Sequence, residues 1–119
     1  MKKVLLLTAA MIAAFAAAQV RLELRALLTG QGKGKAVWKV RDRGGEMQAQ
    51  LEVSAERLQF GAHYFVETGG RTWEVISNSV GAIRIAETYL GPNRPNIAAG
   101  SAVTIEDANG VPVLTGSFQ

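Results

Sequence analysis

The chain has 119 residues, of which 48% are hydrophobic, and it contains no cysteine and a single histidine. This composition excludes disulfide bonds and thiolate metal sites, and one histidine is too few for an ordinary protein zinc site. No motif in the sequence indicates another cofactor, so we expect none.

The chain begins with the layout of a secretory signal peptide over residues 1–18. Two lysines precede the apolar run VLLLTAAMIAAFAAA, and Ala16 and Ala18 occupy the small-residue positions before a cleavage site. The run is shorter than the about 20 residues that a membrane helix needs, and a retained N-terminal anchor is the alternative. We therefore predict an exported protein, periplasmic or extracellular, with a single domain over residues 19–119 and no membrane span after cleavage.

Removal of the signal peptide leaves 11 basic and 10 acidic residues, a net charge of +1. Proteins that bind nucleic acid usually concentrate positive charge on one face or stripe. Here the basic residues are mostly interleaved with acids along the sequence, so we expect no nucleic-acid partner.

Alternation of apolar and polar residues follows the signal peptide directly. Every second residue from Val20 to Leu28 is apolar, which predicts a strand with one buried face. The three glycines of TGQGKG, residues 29–34, then predict a flexible loop.

The stretch VWKVRDRGGEMQAQLEV, residues 37–53, predicts a hairpin that turns on Gly44 and Gly45. One face of this hairpin is polar, with the pairs Arg43–Glu46, Arg41–Gln48, Lys39–Gln50 and Val37–Glu52. The other face is apolar, with the pairs Val40–Ala49, Trp38–Leu51 and Ala36–Val53. A slip of one residue would mix the two faces, so the register is well specified. We interpret the stretch as scaffold; binding of an anionic polymer by its polar face is the alternative.

A second hairpin is predicted over residues 63–76, with its turn on a glycine pair. Its apolar face carries the pairs Val66–Trp73 and Tyr64–Val75, and its mixed face the pairs Phe65–Glu74 and His63–Ile76. The side chains of His63, Phe65 and Ile76 form a candidate apolar patch. Either another segment covers this patch or it is free to bind a protein partner.

The intervening and following segments complete the predicted order of elements. Residues 54–61 are predicted to hold a single helical turn, residues 80–90 a strand with Ile83 and Ile85 on one side, and residues 91–100 a proline-containing loop.

A third hairpin closes the chain, with its turn on Asn109 and Gly110. The expected pairs are Ile105–Leu114, Val103–Gly116, Ser101–Phe118 and Asp107–Pro112. The same turn resembles the start of a calcium loop, but the residues after it supply none of the further oxygen ligands.

These segments predict an all-β fold with seven or eight short antiparallel strands. A two-sheet β-sandwich is the first architecture that fits them, and a partly open β-barrel is the alternative.

The spacing of turn glycines and core residues is similar to that of small secreted bacterial β-domains. The similarity rests on the run P-x-I-x-A-G-S-x-V-x-I-x-D-x-x-G-x-x-V-L-x-G-x-F from Pro95 to Phe118, on G-K-A-x-W from Gly34, and on G-x-x-Y-x-V from Gly61. The resemblance implies a fold and carries no catalytic residue onto this chain.

Catalytic constellations are sparse in this sequence. His63 has no evident acid partner for a serine-type triad, and there is no G-x-S-x-G motif. A pair of carboxylates for glycoside hydrolysis remains open, although the glutamates fit alternating solvated positions; these are Glu52, Glu67, Glu74 and Glu87.

Aromatic residues provide the remaining candidate site. Alternation places Trp38, Trp73 and Tyr64 in the core, whereas Tyr89 is expected to be exposed. Arg94 and Asn96 follow in the next loop and are its candidate polar neighbours.

The sequence therefore predicts an exported, non-catalytic binding or structural domain of the cell envelope or extracellular space. Its expected partner is a polysaccharide or a surface protein. The alternatives are a small carboxylate-dependent hydrolase and a purely structural subunit that assembles through its last hairpin.

Overall fold

The computed structural model describes residues 19–119, and the predicted signal peptide lies outside them. Eight strands make up this part of the chain, which contains no helix: β1 Gln19–Gly30, β2 Lys33–Arg43, β3 Glu46–Glu56, β4 His63–Thr68, β5 Arg71–Ile76, β6 Ile83–Leu90, β7 Ala102–Asp107 and β8 Pro112–Ser117. Each pair of neighbouring strands is antiparallel. The predicted all-β class and strand number are confirmed.

All eight strands belong to one sheet, in the order β5-β4-β7-β8-β1-β2-β3-β6. The edge strands β5 and β6 approach each other without forming a hydrogen-bonded ladder, which leaves a seam between them. The partly open barrel is therefore the architecture, rather than two packed sheets. A sheet that curls almost onto itself encloses one face as core and turns the other outward.

The core is the inner face of this sheet, as the alternation of each strand requires. Trp38 is 1% exposed and Tyr64 is 4% exposed, which confirms their predicted positions. Trp73 packs against the core but is only half-buried, because it lies on the edge strand β5 beside the seam.

The β2–β3 and β4–β5 hairpins form with the registers that alternation predicts. All the predicted pairs of both hairpins are present, including Trp38 opposite Leu51 and Val66 opposite Trp73. The glycines of both turns have positive φ angles, a conformation that glycine adopts without steric cost. Turn and pattern therefore specify the same register.

The β7–β8 hairpin departs from its predicted register near the turn. The Ile105–Leu114 and Val103–Gly116 pairs are present, but Pro112 lies opposite Glu106 and not opposite Asp107. The Asp107 carboxylate accepts hydrogen bonds from the backbone N–H groups of Asn109 and Val111, at 2.9 and 3.0 Å. The Asp107 N–H donates to the carbonyl of Val111. Asp107 thus belongs to the turn, and the ladder shifts by one residue.

Three further expectations differ from the structure. The predicted flexible loop over 29–34 is a tight turn, since β1 runs to Gly30 and β2 starts at Lys33. Residues 54–61 contain no helical turn, because β3 continues to Glu56. The alternation of β1 starts at Leu22 and not at Val20, because an irregularity between them places Val20 opposite Arg41. Leu22 lies opposite the buried Val40 but is 39% exposed.

The loop between β6 and β7 packs across one end of the barrel onto the β4–β5 turn. The N–H of Asn96 donates to the carbonyl of Gly69 at 3.1 Å, and Pro95 is fully buried. The N–H of Gly91 donates to the carbonyl of Met47, which fixes the start of the loop to β3. This end of the barrel is therefore closed by a packed segment.

Candidate binding face

The outer surface of β1, β2, β3 and β6 is a polar surface that spans four neighbouring strands. It is named the basic face here, and its outward residues include Arg25, Leu27, Lys35, Val37, Lys39, Arg41, Gln48, Gln50, Glu52, Ser54 and Arg84. These residues face outward because their neighbours in each strand belong to the core.

Strand β2 supplies most of the positive charge of the basic face. Its six outward positions hold five cations and one valine: Lys33, Lys35, Val37, Lys39, Arg41 and Arg43. Successive outward side chains of a strand are roughly 7 Å apart. Strand β2 therefore carries a line of cations that the near-zero net charge of the domain conceals.

The cations at the two ends of this line lie opposite acidic residues of β3, whereas the cations in its middle do not. Lys33 lies opposite Glu56, and Arg43 lies opposite Glu46. The central cations are opposite neutral polar residues of β3, in the pairs Lys35–Ser54, Lys39–Gln50 and Arg41–Gln48. The cross-strand neighbours on β3 therefore leave the positive charge of the middle of the line uncompensated.

Glu23 on β1 is the main counter-charge within the basic face. Its carboxylate lies 3.4 Å from the Lys39 ammonium and 3.1 Å from the Arg25 guanidinium. The hydrogen bond from Lys39 lowers the pKa of Glu23, and the positive charges of Arg25 and Lys39 also contribute. Among the described residues, neither Lys35 nor Arg41 has an ion-pair partner.

Three open clefts adjoin Lys35, and the largest of them extends from this surface over the inward residues Leu28 and Ile83 near the β1–β2 turn. Their volumes are about 240, 430 and 870 Å³, and Lys35 lines all three. Val37 lines two of them, as does Leu27, whose side chain is 80% exposed. Lys35 therefore lies in an open groove where the three clefts adjoin, rather than in an enclosed pocket.

The predicted patch of His63, Phe65 and Ile76 lies on the opposite wall of the barrel. The register brings these residues together on the outer surface of β4 and β5. Ile76 is 57% exposed, but Phe65 is half-buried between Glu74 and Glu106 on the neighbouring strands. No described segment covers the patch, although its surroundings are charged rather than apolar.

Glutamates supply the negative charge of this wall. The outward residues of β4, β5 and β7 include Glu67, Glu74 and Glu106 but no lysine or arginine, and this surface is named the acidic face. The Nδ1 atom of His63 lies 2.8 Å from a carboxylate oxygen of Glu74. The two walls of the barrel therefore differ in sign of charge.

Tyr89, Arg94 and Asn96, the other predicted site residues, do not form one exposed surface. Tyr89 is half-buried, because the inward alternation of β6 brings its ring to 6.4 Å from that of Trp38. Burial raises the pKa of Tyr89, and the charge of Glu87 adds to the effect. Arg94 is half-buried with one guanidinium nitrogen unpaired, whereas Asn96 is exposed above the β4–β5 turn.

The glutamates proposed for hydrolysis are spread over different surfaces. Glu52 pairs with Arg84 on the basic face at 3.4 Å, while Glu67 and Glu74 lie on the acidic face. Glu87 lies opposite Leu51, on the inner face beside the seam. None of the three clefts of the basic face is lined by more than one carboxylate. This distribution disfavours the carboxylate pair that glycoside hydrolysis uses.

Two further features concern metals and membranes. Within residues 19–119, no three histidine or acidic side chains are grouped closely enough to hold a metal ion. The same residues include no helix with the length and apolarity of a membrane span.

Comparison of the chain with family models, with curated proteins and with solved structures yielded no match. The geometry of the two faces is therefore the basis for assigning a function.

The sequence contains one signal for the basic face that its net charge masks. Lysine and arginine recur at alternate positions in residues 33–43, which is the spacing of one strand face. The residues of β1 that lie beside these cations depend on the pairing of β1 with β2. The β2–β3 hairpin alone does not predict that pairing. Lys35 was therefore not among the predicted site residues.

Proposed function

We propose that the protein is an exported, non-catalytic binding domain that holds an extended ligand across its basic face. The single observation that carries this proposal is the open groove in which three clefts meet at Lys35. Small-molecule sites usually enclose most of their ligand, whereas this groove is shallow and crosses several strands. Its shape favours a chain-like ligand.

A polysaccharide of the cell envelope or extracellular space is the ligand class that we propose. The groove offers hydrogen-bonding side chains in the form of Gln50 and Ser54, and cations that can contact hydroxyl or acidic groups. Leu27 and Val37 add apolar surface for the ring faces of a sugar. A surface protein is the alternative partner, and the signal peptide supports encounter with either outside the cytoplasm.

Sedimentation with fractionated envelope material tests the proposal. The processed protein would be mixed with polysaccharide and protein fractions of its host's envelope, and the amount that sediments would be measured against concentration. We expect saturable retention by a polysaccharide fraction. Saturable retention by a protein fraction alone would show that the ligand is a surface protein and not a polysaccharide. Retention by no fraction would contradict the proposal.

A pair of matched variants locates the binding surface. Leu27→Ala removes an apolar side chain that is 80% exposed in the groove, and we expect it to weaken retention several-fold. Phe60→Ala removes an apolar side chain that is 76% exposed in the β3–β4 connection. Phe60 lies outside the clefts, so this variant should leave retention unchanged. Equal effects of the two variants would place the ligand elsewhere.

A further inference from the structure

We infer that the ligand of the basic face is a linear anionic polysaccharide that lies along β2. This inference rests on the proposed function and adds the charge and the direction of the ligand. It follows from which cations of the basic face are paired and which are free.

Two cations of β2 lie opposite neutral residues of β3 and have no ion-pair partner among the described residues. Lys35 has Leu27 on β1 and Ser54 on β3 as its cross-strand neighbours. Arg41 has Gln48 on β3 in the corresponding position. A solvent-exposed cation is stable without an ion-pair partner, because a surface ion pair contributes only about 0–1 kcal/mol. Both positions are therefore suited to acidic groups that come from outside the molecule.

Lys39 lies between these two cations and continues the line. Its ammonium group is 3.4 Å from Glu23, so its charge is shared with an acid, and its side chain is only 29% exposed. Strand geometry places Lys35 roughly 13 Å and Arg41 roughly 7 Å from Lys39 along β2. A polymer with an acidic group on successive residues could therefore contact two or three cations while it runs parallel to the strand.

The neutral side chains beside the line suit a carbohydrate backbone. Gln48 and Gln50 follow β2 on β3 and can donate and accept hydrogen bonds with hydroxyl groups. Val37 interrupts the cations at the middle of the strand and lines two clefts. The alternation of charge, amide and apolar contact indicates a polymer with sugar rings between its acidic groups.

The acidic face restricts where a polyanion can bind to the domain. Glu67, Glu74 and Glu106 lie on the other wall of the barrel and repel a polyanion. A polyanion is therefore directed to the basic face, although the domain carries almost no net charge. The acidic groups of the polymer could be uronate carboxylates or phosphodiesters, which share this charge complementarity.

Equilibrium binding of the processed protein to defined polymers tests the inference. The probes are polygalacturonate for carboxylates, a phosphodiester-linked polysaccharide for phosphates and dextran as the neutral control. We expect one or both anionic probes to bind at low salt, with the logarithm of affinity falling by about 2 per tenfold rise in salt, as for two or three released counterions. Dextran should bind at least tenfold more weakly.

Neutralising substitutions connect this affinity to β2. The double variant Lys35→Gln/Arg41→Gln should lose at least tenfold in affinity at low salt and most of its salt dependence. The control Arg57→Gln removes an exposed cation of the β3–β4 connection that lines none of the three clefts, and we expect less than a threefold change. Near-ultraviolet circular dichroism and the melting temperature of each variant show whether the fold is intact.

Several outcomes would overturn the inference. Envelope retention that is indifferent to salt and to the double variant would leave the proposed function standing with a neutral ligand. Failure to bind any envelope fraction or any probe would contradict both this inference and the proposed function. Tighter binding of double-stranded DNA than of either polysaccharide would show that the basic face binds nucleic acid instead. Concentration-dependent assembly that is lost in the double variant and in Glu74→Gln would show that the basic face binds the acidic face of another copy.

Discussion

The guanidinium group of Arg71 lies 5.4 Å from the centre of the Tyr89 ring, across the seam where β5 and β6 have no ladder. The same group donates a hydrogen bond to the side-chain oxygen of Asn93 at 3.0 Å. Arg71 therefore joins β5 to β6 and to the following loop through side chains alone. This arrangement strengthens the barrel at its least hydrogen-bonded place.

Removal of this link should destabilise the domain. We expect Arg71→Gln to lower the free energy of unfolding by about 1–2 kcal/mol, because it removes a cation–π contact and a hydrogen bond. Urea denaturation followed by tryptophan fluorescence measures the change. The control is Arg57→Gln, since Arg57 is exposed and has no ion pair among the described residues. Equal stability of the two variants would show that Arg71 does not stabilise the seam.

The raised pKa of Tyr89 predicts a loss of stability in alkaline solution. Burial disfavours the phenolate, so the folded protein holds the proton of Tyr89 above the ordinary pKa of 10.0. The contribution of this proton to stability is complete below pH 10 and is lost as the pH rises through the pKa of the folded state. The stability of Tyr89→Phe should therefore decline less in that range.

Phenolate absorbance measured against pH tests the same shift directly. The difference between the protein and Tyr89→Phe isolates the titration of Tyr89, and its midpoint should lie above 10. Glu87→Gln should move this midpoint downward, because the Glu87 charge contributes to the shift. A midpoint at or below 10 would contradict the burial of the ring.

Alanine substitutions in the β4–β5 turn should differ sharply at adjacent positions. Gly69 and Gly70 both have positive φ, 60° and 78°, so alanine strains the backbone similarly at each, by about 1–2 kcal/mol. A Cβ atom at Gly69 would lie 2.8 Å from the Cβ of Pro95 and 2.9 Å from Ile97, whereas one at Gly70 meets nothing. We expect Gly69→Ala to cost about 1–3 kcal/mol more, as overpacking does. Thermal melting of the two variants provides the comparison, and equal melting temperatures would show that the loop does not pack tightly there.

Ser77 should be the most important single hydroxyl in the connections between strands. It is 3% exposed, accepts a hydrogen bond from the Ala62 N–H at 3.0 Å and donates one to the carbonyl of Gln59. Ser77→Ala leaves the Ala62 N–H and the Gln59 carbonyl without this partner in a partly buried place, and we expect a loss of about 1–2 kcal/mol.

Hydrogen exchange distinguishes this effect from a general loss of stability. The Ala62 amide should exchange faster in Ser77→Ala than global unfolding accounts for. Ser79→Ala is the matched control, because Ser79 is exposed, and it should change neither stability nor exchange. Unchanged exchange at Ala62 in Ser77→Ala would mean that another group replaces the hydroxyl.

The parts of the fold that sequence predicts are those in which a turn and an alternating pattern agree. The glycine pair at the β2–β3 turn and the alternation around Trp38 specify the same register, so each pair was predicted correctly. At the β7–β8 turn, the Asp107 carboxylate forms hydrogen bonds that alternation does not describe, and the pairing of Pro112 was therefore wrong. Local chemistry of the turn decided the register in that case.

The strand order and the binding face depend on contacts between distant segments. Pairing of β1 with β8 and of β3 with β6 makes one curled sheet, and no local pattern in those strands selects these partners. Lys35 becomes a candidate only when its neighbours Leu27 and Ser54 are known. Tyr89 was expected to be exposed because its loop is polar, whereas the alternation of β6 directs it inward.

The short β1–β8 ladder has a consequence for how the protein reaches this structure. Only Thr29–Thr115 and Gly30–Leu114 pair in this ladder, with two further backbone hydrogen bonds between Arg25 and Gln119. Hairpins such as β2–β3 and β7–β8 join residues close in sequence and can form early, whereas this junction joins segments near opposite ends of the described chain. The entropy of closing so long a loop delays its formation. We expect the meeting of β1 with β8 to limit the refolding rate. Because the hairpins form before this step, substitutions at the junction and in the hairpin turns should both slow folding.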